Sequence, residues 1–149
     1  MSDVMRDIRD AMLSEIQAEL TASYKQLAYT EDVQKNSLRT SSERFGVRAL
    51  ASSEVPGVTR FTTFTQSFEV VLTKAYTESK IDDTEQVEKA FDNRENLLSI
   101  YTRLVNNKGG LPLVVLNIFN LNVAEPEFLL VDKVAVQRAT MDITYRLTL

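Results

Sequence analysis

The stretch at residues 60–74, RFTTFTQSFEVVLTK, does most to limit what this chain can fold into. Phe64, Phe68, Val70 and Leu72 fall at even spacing, so an extended backbone puts all four on one face. The opposite face carries Thr63, Thr65, Ser67, Glu69 and Thr73, which are mostly small and polar. β-branched and aromatic residues dominate, and neither Gly nor Pro interrupts the run. This pattern predicts a long, half-buried strand, at or next to the centre of a sheet, with both long helices packed against it.

At 149 residues the chain is long enough for one domain that buries roughly two-thirds of its unfolded surface. Four Gly and three Pro imply regular elements with short connections. Cysteine is absent, which excludes disulfide and thiolate chemistry. Histidine is absent too, which removes the commonest general base and the commonest metal ligand. A net charge of -4 with scattered basic residues gives no long-range attraction to nucleic acid or an anionic membrane. The N-terminal MSDVMRDIRD has acids where a signal peptide needs an apolar core, and the most apolar run, at residues 111–116, is too short to span a membrane. A reducing cytoplasm is the expected place of synthesis.

Residues 2–24 predict a first helix, because Val4, Met5, Ile8, Met12, Ile16, Leu20 and Tyr24 recur every three or four positions. Residues 25–42 lose that pattern and predict a long loop, with Val33 and Leu38 isolated among polar neighbours. Phe45, Val47 and Ala49 alternate in a short strand over 44–51. A turn over 52–57 would then send the chain back, antiparallel, into the strand over 60–74. A second helix starts after a capping Asp83 and ends before Gly109 and Gly110, with Val87, Ala90, Phe91, Leu97, Leu98, Tyr101, Leu104 and Val105 expected on its inner side. A third strand starts at Leu111, and Pro126 breaks the chain behind it. A fourth occupies 131–149, with Ala139, Met141, Ile143, Tyr145, Leu147 and Leu149 on one face. Val134 and Val136 run in the opposite phase, which predicts a bulge near Gln137 and Arg138. The sum is one α+β domain over residues 1–149, a mainly antiparallel four-stranded sheet with two long helices packed on one face.

None of the candidate chemistry is catalytic. Serine or cysteine triads are impossible without His and Cys. Asp82, Asp83 and Glu85 cluster, but at a helix start, where capping explains them better than a metal ion. Glu125 and Glu127 flank Pro126 in a solvated turn. Lys108, Gly109 and Gly110 follow a helix instead of preceding one and lack a phosphate loop's ending. Arg44, Phe45, Arg48, Arg60 and Phe61 interleave bases with aromatics, as a solvated strand face also does. No enzyme, cofactor or metal is expected. The unusual feature is the row Thr63, Thr65, Ser67 and Thr73, polar and nearly uncharged, which suits solvent, a channel lining or an interface with another copy. Open sheet edges invite lateral association as well.

In its layout the chain resembles the tail terminator proteins of tailed bacteriophages. The residues that carry the resemblance are RFGVRALASSEVPGVTRFTTFTQSFEVVLT, a hairpin, then a helix, then the closing ITYRL strand. It implies a structural virion protein, assembled in the host cytoplasm, that forms a hexameric homo-oligomeric ring at the head-proximal end of the tail tube. Such a ring ends tube polymerisation and provides the head-joining surface. Its partners would be the tail tube protein and neck or connector proteins, with DNA passing through the lumen without sequence-specific binding and no membrane involved. On this reading Thr63, Thr65, Ser67 and Thr73 are the candidate lumen or interface face. Val33, Lys35, Leu38 and Arg39 are candidate subunit or partner contacts, on a segment at 30–42 expected to order only in the assembly. The alternatives are another neck or head-completion subunit, and a small non-viral binding protein or enzyme using an apolar pocket between helix and sheet.

Overall fold

The structure is a computed structural model that describes residues 4–20, 24–26, 43–55, 61–75, 84–106, 110–129 and 134–148. Its elements are helix α1 (Val4–Glu19), strands β1 (Lys25–Gln26), β2 (Arg44–Val55) and β3 (Phe61–Ala75), helix α2 (Thr84–Asn106), and strands β4 (Val115–Val123), β5 (Glu127–Leu129) and β6 (Val134–Thr148). The strands form one sheet in the order β1-β2-β3-β6-β4, with β5 also beside β6. β3 is thus the middle strand of that order, as its pattern predicts.

Among the described residues the sheet has six strands and is mixed, not four-stranded and antiparallel: β1 pairs parallel with β2, and every other pair is antiparallel. The two extra strands are two and three residues long, too short for any periodicity to show. β4 and β5 lie end to end along the side of β6 that β3 does not use, interrupted at Pro126. Glu127 therefore starts a strand instead of closing a turn.

The β2–β3 hairpin is present, with Phe45 opposite Leu72 and Val47 opposite Val70. β2 is longer than the alternation suggests: residues 52–55, read above as turn, still pair with 63–66 beyond a register shift between Ala49 and Ser52. β3 and β6 pair without a break from Phe61↔Thr148 to Ala75↔Val134, so the bulge expected near Gln137 and Arg138 does not exist. Val134 and Val136 change phase because this end of β6 is buried on both faces; Ala135 and Gln137 are buried as well. The irregularity sits on the neighbouring strands. At the β4–β5 break the Gln137 side chain donates to the Ala124 carbonyl at 2.6 Å, and Ala124 N–H donates to the Arg138 carbonyl at 3.0 Å.

One core fills the space between both helices and a single sheet face. Ile8, Met12 and Ile16 from α1 and Leu97, Ile100 and Leu104 from α2 meet Phe68, Val70, Leu72, Met141 and Ile143. Each such side chain, fully buried, contributes about 1.5–3 kcal/mol of transfer free energy. α1 ends at Glu19, not Tyr24. Tyr24 is still buried, because the chain leaving the helix brings it under α2, where its hydroxyl accepts from Asn96 Nδ2 at 3.2 Å. The third strand starts at Val115 rather than Leu111, after a turn in which Val115 N–H reaches the Pro112 carbonyl.

On α2 the inner face is rotated from the expected one. Ala90, Asn93, Leu97, Ile100 and Leu104 are buried, while Val87, Phe91 and Leu98 are exposed. The expected helix cap Asp83 and the turn residues Pro56 and Gly57 lie outside the described residues.

Candidate functional site

The sheet face turned away from the helices is ordered by direct cross-strand partners, since paired residues of antiparallel strands share a face. Thr65 and Thr144 sit opposite one another, their hydroxyls 3.4 Å apart. One step along, Ser67 Oγ donates to Asp142 Oδ1 at 2.6 Å, and Asn120 Nδ2 donates to the other carboxylate oxygen at 2.9 Å. One step further, Glu69 Oε1 lies 3.3 Å from a guanidinium nitrogen of Arg48 on β2 and 3.3 Å from one of Arg138 on β6. Arg138 also donates through Nε to Glu127 at 2.9 Å. Five strands, β2 to β6, are thus tied together through side chains as well as backbone.

Thr63, Thr65 and Ser67 are half-exposed on this face, as the alternation requires. Thr73 does not belong with them: it is fully buried, and its Oγ1 accepts the Arg44 backbone N–H at 3.0 Å. Nor is the face nearly uncharged. Neighbouring strands set Arg48 and Arg138 around Glu69 and Asp142 beside Ser67, and Arg146 stands opposite Thr63. The single-strand reading missed Arg138, Asp142 and Asn120 because their roles depend on strand order; the alternating polar residues of the last strand were the one available signal. Arg44 and Arg48 lie on this face while Phe45 is in the core, so the interleaving of these bases and aromatics follows strand alternation. Val33, Lys35, Leu38 and Arg39, with the rest of the segment at 30–42, lie outside the described residues.

A second feature lies along the sheet border. Leu113, just before β4, is 97% exposed and Phe119, on β4, is 36% exposed; β4 has no charged residue. Around the β4–β5 break, Pro126 and Phe128 face Val87, Ala90, Phe91 and Arg94 of α2 across a mainly apolar groove of about 310 Å³. This groove is the described feature that comes nearest to a pocket between helix and sheet.

Electrostatics elsewhere hold the helices together. Arg103 of α2 donates through Nε to Glu15 at 2.8 Å and through a terminal nitrogen to Glu19 at 3.2 Å, both on α1, and these carboxylates raise its pKa further. Burial, assisted by the charge on Glu43, pushes the Tyr24 phenol up to about 12. Among the described residues no group of acidic side chains is arranged to hold a metal ion, and no helix is long and apolar enough to cross a membrane. Asp82 and Asp83 lie outside the described residues.

No protein-family model and no curated protein matches the chain. Among solved structures, the fold is similar to the sheath/tube terminator of an extracellular contractile injection system, PVC, determined by cryo-EM in the extended state. The similarity has a TM-score of 0.50 at 12% sequence identity and covers 99% of this chain. The chain spans 58% of the length of that terminator chain.

Proposed function

We propose that this chain is a terminator-type structural subunit, copies of which close into a ring on the end of a tail tube or tail-like tube and stop its growth. The observation that carries the reading is the fold shared with a sheath/tube terminator over 99% of the chain. The sheet adds physical support: it has a bordering strand without charge, a device that isolated proteins avoid and assemblies use. In the finer form of the proposal the ring is a hexamer at the head-proximal end of a bacteriophage tail, joins tail to head, and lets DNA pass. Thr63, Thr65 and Ser67 would then face the lumen, where hydroxyls interspersed with paired charges offer phosphates no cationic track.

Light scattering and negative-stain electron microscopy of the purified protein test the reading. A ring-shaped multimer at micromolar to millimolar concentration is expected. Tube protein polymerised in its presence should give tubes of bounded length, and particles made without it overlong tubes. A strict monomer that leaves tube length unchanged would sink the reading.

A further inference from the structure

We infer that copies of this chain join edge to edge, β4 of one copy adding antiparallel to β2 of the next, so that a single sheet runs through the assembly. The inference rests on the ring reading and names its contact.

Among the described residues, each border of the sheet has a stretch with no strand on its outer side. β4 ends the strand order, and among the described residues no strand pairs with the outer side of residues 117–123. At the other border β1 covers β2 only at Arg44 and Phe45, so residues 46–55 have no strand on their outer side among the described residues. Direction fits as well. β4 is antiparallel to β6, β6 to β3 and β3 to β2, which makes β4 antiparallel to β2. A neighbour brought up by rotation alone, helices kept on the same side, therefore presents its β2 antiparallel to β4. Such a head-to-tail contact uses two different borders and repeats until the rotation closes a ring.

The chemistry of the β4 border favours this occupant. Residues 109–124, GGLPLVVLNIFNLNVA, form the longest stretch of the chain without Asp, Glu, Lys or Arg. Solitary proteins guard such edges with charge, which β4 lacks. Its register shifts, between Val115 and Asn117 and between Phe119 and Asn122, leave residues 117–119 as the regular piece on which pairing would centre. Phe119 within it and Leu113 just before β4 are exposed, and Leu50 is exposed on β2. The groove between Phe91 and Phe128 continues the same border on the helix side and can take an apolar side chain from the neighbour.

The chain contains no cysteine, so introduced thiols report without background. Single variants Asn117→Cys on β4 and Arg48→Cys on β2, both on the sheet face turned away from the helices, are mixed and treated with a short bifunctional thiol reagent. A cross-linked dimer is expected in the mixture and in neither variant alone, and the double variant should give a ladder ending at the ring. Dimers of Asn117→Cys alone would mean that like edges pair, and would overturn the proposal. Phe119→Lys should reduce the multimer to monomer with its circular dichroism unchanged. If that variant keeps the full multimeric mass and the mixture does not cross-link, this contact is wrong while the ring stands. A wild-type protein that stays monomeric removes both.

Discussion

Asn120 holds a backbone conformation, φ 61°, that no other non-glycine residue among those described adopts. Asparagine tolerates the left-handed region better than other side chains, and here its amide is also tied to Asp142 at 2.9 Å. One residue thereby shapes the β4 irregularity and anchors the outer face. Gly110 matters through close approach: a Cβ there would meet the Glu15 carboxylate, the end of a flexible side chain, and displace it from its place beside Arg103. Tyr24 yields a pH prediction. Its phenol ionises normally near 10.0 and in the folded protein only near 12, because burial disfavours the anion. The folded chain thus holds this proton more tightly than the unfolded chain, and stability is lost as pH rises from about 10 towards 12. Urea midpoints measured across that range should fall less steeply for Tyr24→Phe than for the wild type. Parallel slopes would assign the alkaline loss to other groups.

At the scale of elements, α2 carries two apolar seams. One, from Ala90 through Asn93, Leu97 and Ile100 to Leu104, is buried; the other includes Val87, Phe91 and Leu98 and is exposed. Counting large apolar residues favours a face that takes in Phe91 and Leu98, since the buried seam spends one position on Asn93. That asparagine is tolerated inside because its amide donates to the Ala135 carbonyl at 3.1 Å. The two seams should respond differently to truncation. Ile100→Ala is expected to cost about 2–5 kcal/mol, by transfer plus cavity. Phe91→Ala in the free subunit should cost under about 1 kcal/mol, as exposed substitutions do. Denaturant midpoints measure both. Equal losses would put Phe91 in the core and contradict the helix orientation found here.

The whole molecule is built on non-local pairing. The central strand β3 takes β2 on one side and the last strand, β6, on the other, with its pairing to β6 running unbroken along all of β3. The sheet's main ladder therefore forms only after a loop containing α2, β4 and β5 is closed. Both helices share one core with that sheet, so among the described residues no part has an apolar core of its own. Urea unfolding followed by circular dichroism and by tyrosine fluorescence should give one coincident transition. Refolding should take milliseconds to seconds, as for other folds dominated by distant contacts. Microsecond refolding, or helix loss ahead of sheet loss, would contradict this description.

The local patterns were readable because each depends on a period within one segment. Strand alternation in residues 60–74 located β3 and its faces, and the spacing of Ile8, Met12 and Ile16 located the buried side of α1. The α+β class and the β2–β3 hairpin follow from the same kind of reading. What tertiary structure decided is whatever depends on a neighbour. Thr73 is buried, though its phase in the strand is the same as that of half-exposed Thr65, and its hydroxyl is taken up by the Arg44 backbone N–H of the neighbouring strand. Val134 and Val136 imitate a bulge because that end of β6 is covered on both faces. β1 and β5 are strands only by virtue of the longer strands beside them, and Glu69 has its two arginines only because β2 and β6 flank β3. A side chain's period is written into its own segment, but the burial of that face and the charges around it are contributed by strands distant in the chain.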